Sequence, residues 1–143
     1  MKYHFKITKE TKGYSAECLE LDGCRTQANT KKELLINLED ALNLFLDEPV
    51  NSKVIFPKPK KPRIQKNIVA VPVDPKIAFA MLLRQARVKN KMTQSQTAKK
   101  LGLKNIYSYQ RLENSRTANP GLMTIVAIKE VFPDFDVDLV VNI

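Results

Sequence analysis

Gln110 and Arg111 are adjacent side chains that can each make paired hydrogen bonds to a base edge, glutamine to adenine N6 and N7 and arginine to guanine O6 and N7. They lie in the most basic part of the chain. From Lys76 to Arg116 there are ten lysines and arginines and a single acid, Glu113, a concentration suited to holding a polyanion. Other reactive types are scarce. Cys18 and Cys24 are the only cysteines and His4 the only histidine, so thiolates and imidazole alone cannot assemble a four-ligand zinc site, and no metal or cofactor is expected. The two thiols read as reduced and partly buried. His4, on the polar face of a strand pattern with no nucleophile beside it, reads as exposed. Glu10, Glu17, Glu20 and Asp22 gather on turns, either as solvated loop acids or as contacts to a basic partner.

The elements that must position these groups follow from length and patterning. A chain of 143 residues, 43% hydrophobic and 27% charged, supports one ordinary domain or two small ones. Its net charge of +9 is uneven. Residues 1–49 hold seven basic against nine acidic groups, a balance of −2, whereas 50–74 reach +5 and 75–143 reach +6. No apolar run approaches the 18 or so residues of a membrane span, and the N-terminus alternates polar and apolar types where a signal peptide would be apolar. A cytoplasmic protein without a membrane partner is expected.

The basic region reads as helices. Asp74-Pro75 is an N-cap and first-turn pair opening a helix that runs into Arg84, Arg87, Lys89 and Lys91. Thr93 and Gln96 form a capping box for a short helix carrying Ala98 and Leu101 inward and stopping at Gly102. A third helix spans about Asn105 to Asn114, and a fourth opens at Asn119-Pro120 and halts at Phe132-Pro133. From Asp134 the chain alternates acid and apolar residues, which reads as a short terminal strand with Phe135, Val137, Leu139 and Val141 on one face. That strand needs a partner, and a second copy of the chain would supply one, giving a homodimer or a higher even oligomer.

The string MTQSQTAKKLGLKNIYSYQRLENSRTANPGLMTIVAIKEV resembles the Xre/Cro-type helix-turn-helix. In that family the second helix crosses the phosphate backbone and the third reads bases in the major groove of operator DNA. The resemblance implies that Gln94 faces phosphate at a helix start, that Lys99 and Lys100 touch phosphates, and that Asn105, Tyr107, Ser108, Gln110 and Arg111 face the groove, with Tyr109 and Leu112 inward. One additional residue in the turn, GLKN before IYSYQRLE, leaves the register of Asn105 to Tyr107 open.

Before this region the pattern is that of a sheet. Tyr3, Phe5 and Ile7 alternate with His4, Lys6 and Thr8; runs at 14–19 and 24–28 follow turns at Gly13 and Gly23. A capping box at Thr30 and Glu33 opens a helix with Leu34, Leu35, Leu38, Ala41, Leu42, Phe45 and Leu46 on its apolar stripe, ended by Pro49. Residues 50–67, with Pro57, Pro59 and Pro62 and the string KPKKPRIQK, read as an extended basic linker, and 68–73 as a strand able to cap either side. The expected division is 1–49, a linker at 50–73, and 74–143.

The string GYSAECLELDGCRTQANTKKELLINLEDALNLFL resembles the N-terminal domain of HicB antitoxins. This resemblance implies an α+β fold: a partial RNase H-like antiparallel sheet with one helix, followed by an all-α helix-turn-helix module. It further implies binding and neutralisation of a HicA-type mRNA-cleaving toxin by residues 1–49, extended at most to Val73, and repression of the shared operon through the C-terminal part. No catalysis is expected, since RNase H-type cleavage needs converging carboxylates and 3–8 contains none. A stand-alone Xre-type transcription regulator with an N-terminal sensing or dimerisation domain remains the alternative.

Overall fold

The computed structural model describes residues 1–61 and 65–141, so residues 62–64 of the expected linker lie outside the described residues, as do residues 142 and 143, which follow the expected terminal strand. The fold is mixed α+β, with one four-stranded antiparallel sheet and several helices. The chain forms two compact units, Met1–Leu46 with Phe56–Asp74, and Asp47–Ile55 with Pro75–Val141.

In the first unit, β1 (Lys2–Lys9) buries Tyr3, Phe5 and Ile7 on one face, as period-2 alternation requires. It pairs on one side with β2 (Tyr14–Cys18), Ile7 opposite Ala16, and β2 pairs with β3 (Arg25–Ala28). Gly13 turns the first hairpin at φ +84°, and a Cβ there would stand 2.4 Å from Ala28 O; only glycine fits. On its other side β1 pairs antiparallel with β4 (Ile68–Pro72), Tyr3 opposite Val71, giving the order β3-β2-β1-β4. Pro72 sits at the end of an outermost strand, where its missing N–H costs no ladder bond.

Helix α1 (Lys31–Leu46) covers the sheet, packing on β2, β3 and β4. Thr30 Oγ1 accepts from Glu33 N–H at 3.2 Å at its start. Leu34, Leu38, Leu42 and Leu46 are fully buried at four-residue spacing, each worth roughly 1.5–3 kcal/mol against exposure. Leu35, expected on the same stripe, is nearly half exposed. A single layer of sheet accepts one row of side chains, and Leu35 lies outside it.

The linker reading is corrected in two places. From Phe56 on, the chain packs into the first unit: Phe56 is buried with its ring 5.7 Å from that of Phe45, and Tyr3 Oη donates to Pro57 O at 2.7 Å. Residues 47–55 belong instead to the helical unit, where Ser115 Oγ donates to Asp47 Oδ1 at 2.8 Å.

The helical unit is built around α2 (Pro75–Lys89), in which eight consecutive residues, Ala78–Gln85, are buried. It packs against α4 (Ile106–Glu113) and α6 (Val137–Val141), while α3 (Gln94–Lys100) packs against α4. Between α4 and α6 lies α5 (Leu122–Val131), whose N-cap is Gly121 with no side-chain cap bond, so Asn119-Pro120 precede the helix without opening it. The expected terminal strand is overturned. Asp136 Oδ1 accepts from the N–H groups of Asp138 and Leu139 at 3.0 and 3.4 Å, which starts a helical turn. Phe135 is buried edge-on to Phe79 at 5.8 Å, Val137 and Leu139 are half-buried, and Val141 is exposed. These four residues therefore present no strand face to a second copy.

Because β1 is central, a fragment ending at residue 49 leaves its β4 side unpaired and removes the cover supplied by Phe56. Residues 1–74 are expected to melt cooperatively by circular dichroism and 1–49 to give no cooperative transition; equal melts would show that β4 is dispensable.

Candidate nucleic-acid interface

Helices α3 and α4 are fixed by their own termini. Thr93 Oγ1 accepts from Gln96 N–H at 3.1 Å and Gln96 Oε1 accepts from Thr93 N–H at 2.9 Å, completing the expected capping box. At the other end Gly102 adopts φ +72°, with Leu103 N–H donating to Ala98 O at 3.0 Å and Gly102 N–H to Lys99 O at 3.1 Å. This left-handed closure turns the chain sharply between the helices. Ala98, buried and small, faces inward beside it.

Asn105 resolves the open register. Its Oδ1 accepts from Ser108 N–H at 3.0 Å and from Ser108 Oγ at 3.2 Å, so it is the N-cap of α4 and α4 begins at Ile106. The cap occupies the Asn105 carbonyl oxygen and the Ser108 hydroxyl proton, and leaves the Asn105 amide N–H groups on an exposed side chain. Tyr107, 72% exposed, and Arg111 project outward, while Tyr109, Leu112 and Glu113 point inward. Lys99 and Lys100 are exposed on α3.

Glu113 organises the inner face. Its carboxylate, with no exposed side-chain surface, receives Arg87 Nε at 2.6 Å and Nη2 at 3.1 Å, the Tyr109 hydroxyl, and Gln94 Nε2 at 3.0 Å. Gln94 Oε1 in turn accepts from Gln110 Nε2 at 3.1 Å. Gln94 is thus held by Glu113 from behind, and in front it holds Gln110, half-buried like itself. The sequence reading did not find this network. Its signals were present: a lone acid among ten bases, and a tyrosine four residues before it, one helical turn away.

Electrostatics distinguish two arginines of α2. Burial pulls the Arg87 guanidinium down, but the hydrogen bond and charge of Glu113 outweigh it and hold Arg87 above the usual arginine range. Arg84 is lowered, chiefly by burial, which the carboxylates of Glu48 and Glu113 only partly offset. Its Nε and Nη2 have no hydrogen-bond partner among the described residues, and Nη1 reaches Glu48 O only at 3.5 Å. Tyr109 is pushed far up by burial and then by Glu113, so it remains a donor throughout the neutral range.

The acids of the first unit are not one class. Glu20 is internal: its carboxylate takes the N–H of His4 at 2.9 Å and of Lys60 at 3.0 Å and shares a 2.9 Å hydrogen bond with His4 Nδ1. Only 2% of the Glu20 side chain is exposed and 14% of that of His4, which corrects the reading of both as surface residues. Glu10 is exposed and accepts from Ser15 Oγ at 2.7 Å; Glu17 and Asp22 are exposed. Cys18 and Cys24 are buried and free.

UPF0150 protein Ta0767 of Thermoplasma acidophilum is 44% identical over 48 residues, which are 33% of this chain and 70% of that protein. The chain belongs to the UPF0150 family. No protein-family model matches it. The UPF0150 likeness covers a third of the residues, so the reading of the Glu113 network rests on geometry.

Removing the Glu113 carboxylate leaves Arg87 charged and unpaired at a largely buried site. Glu113→Ala is expected to cost about 3–5 kcal/mol in chemical denaturation, and Arg87→Met with Glu113→Leu to recover most of that loss. A Glu113→Ala protein within about 1 kcal/mol of wild type would show that the network contributes no more than a surface ion pair.

Proposed function

We propose that this protein is an antitoxin that binds and neutralises a HicA-type mRNA-cleaving toxin and represses its own operon by binding operator DNA. The observation that carries the DNA half is α4: Tyr107 and Arg111 stand exposed on a helix whose opposite face is locked through Glu113, with Lys99 and Lys100 exposed on the preceding helix. That arrangement supports a helix-turn-helix of Xre/Cro type, α3 along the backbone and α4 in the major groove. Gln110 keeps its carbonyl oxygen and one N–H for a base while Gln94 fixes its orientation.

The toxin-binding half rests on the HicB resemblance of residues 1–49 and on membership of UPF0150, which we take to be a HicB-related family. We read the sheet and α1 as the partial RNase H-like layer of that family, kept as a binding surface and not as an enzyme. Glu10, Glu17 and Asp22 are the acids it offers to a basic, RNA-binding partner. Self-association is supported by α5, where Leu122 and Met123 are about three-quarters exposed on a helix that buries only Ile128. A dimer would present two copies of α4 to a palindromic site.

Co-expression with a small ribonuclease encoded beside this chain, followed by pull-down, tests the first half: rescue of growth with a stable complex is expected, and no complex would refute it. For the second half, Arg111→Ala and Gln110→Ala are expected to lose roughly 1–3 kcal/mol of preference for the chain's own promoter duplex over a scrambled one while retaining general DNA binding. Lys99→Ala and Lys100→Ala should weaken both duplexes alike, and none of the four should impair neutralisation. Equal loss on both duplexes for Arg111→Ala would remove it from the base-reading set.

A further inference from the structure

Residues 47–55 carry a lysine to the helical unit from outside the α3–α4 pair. A turn closed by Ser52 N–H donating to Pro49 O at 2.9 Å places Lys53 on a cleft of about 700 Å³ whose lining also includes Arg87, Lys91, Gln94 and Ser95. Three cations line this cleft and no carboxylate does. Arg87 is already committed to Glu113, whereas Lys53 and Lys91 are exposed and form no salt bridge among the described residues.

Lys91 has a second peculiarity. It closes α2 at φ +54°, with its N–H donating to Val88 O at 3.0 Å and Met92 N–H donating to Arg87 O at 3.1 Å. This left-handed closing position is where glycine is the default, because a Cβ is strained there. The chain instead keeps a long cation at that point, and residues held in such conformations cluster at ligand-contacting sites. The same segment continues to α4: Val50 lines a neighbouring cleft of about 510 Å³ with Tyr107, Gln110 and Arg111. Val50 thus joins the cleft that carries the two lysines to the cleft lined by Tyr107, Gln110 and Arg111.

We propose that Lys53 and Lys91 form a clamp for the phosphate backbone of duplex DNA, so that the DNA interface includes the 47–55 segment as well as α3 and α4. The clamp rests on the DNA-binding reading above. Ammonium groups on flexible stems suit phosphates as point charges and carry no sequence information. They add to affinity for any duplex, and each neutralised phosphate contributes about 0.9 to the slope of log affinity against log salt.

The test measures binding of the full chain and its Lys53→Gln, Lys91→Gly and Arg111→Ala variants to the promoter duplex and a scrambled duplex across a salt series, with melting curves for each. Lys53→Gln and Lys91→Gly are expected to weaken both duplexes several-fold and alike, each making the salt slope shallower by about 0.9. Lys91→Gly should melt no lower than wild type, since glycine accepts the left-handed conformation; if it melts lower, Lys53→Gln alone decides. Unchanged slopes in both lysine variants, with Arg111→Ala still losing preference, would overturn the clamp and leave the DNA reading standing. Wild type binding neither duplex would overturn both. Saturable binding of inorganic phosphate lost in Lys53→Gln, with duplex slopes unaltered, would make the cleft a small-anion site and also overturn the clamp.

Discussion

The Glu113 carboxylate has no exposed side-chain surface, and a charge so placed is tolerated only when its lone pairs are matched. Desolvating a carboxylate and a guanidinium costs several kcal/mol each, and attraction at 2.6 Å offsets this only with good geometry and additional donors. Arg87 supplies two N–H groups, Tyr109 a hydroxyl and Gln94 an amide. The donors come from α2, from α3 and from α4 itself, so the group that satisfies its own charge also sets the relative placement of three helices. The final link, Gln94 to Gln110, carries that placement to the surface. On the proposed reading, two glutamine side chains meet DNA already oriented, and less rotamer entropy is lost on binding.

The first unit uses the same device on a smaller scale. Glu20 ties the backbone of β1 at His4 to the backbone at Lys60, itself forty residues after Glu20. The Pro- and Lys-rich stretch after Phe56 has the composition of a solvated linker, yet at Lys60 its backbone is bonded to Glu20. Arg84 shows the converse. It is buried in α2 with two nitrogens unpaired among the described residues, whereas Arg87, one turn away, is matched by the Glu113 carboxylate.

Local patterning was legible wherever one element decides its own structure. The strand alternation of Tyr3, Phe5 and Ile7, the Thr93 and Gln96 box and the Gly102 turn all depend on residues within a few positions of one another. What escaped the sequence depends on partners far along the chain. β4 was legible as a strand, but its pairing with β1 is a contact across more than sixty residues. The Glu113 network joins residues 87, 94, 109, 110 and 113, and no spacing rule for a single helix contains that set. The tail misled for another reason: alternating Asp and apolar residues satisfy period 2, yet Asp136 also caps a helix, and burial of Phe135 against Phe79 favours the compact turn. Asn105 was legible at the start of the third helix, but its capping role shows only in the geometry, where its side-chain oxygen accepts from Ser108 N–H.

The central claim is that Gln94 and Gln110, anchored by Glu113, act as one unit on DNA. A double-mutant cycle measures this most directly: affinity of wild type, Gln94→Ala, Gln110→Ala and the double variant for the promoter duplex at one salt concentration. Residues that share a hydrogen-bonded network show interaction energies of about 0.5–3 kcal/mol, and the account predicts a value in that range, with the double variant losing less than the sum of the singles. Losses that add would contradict it.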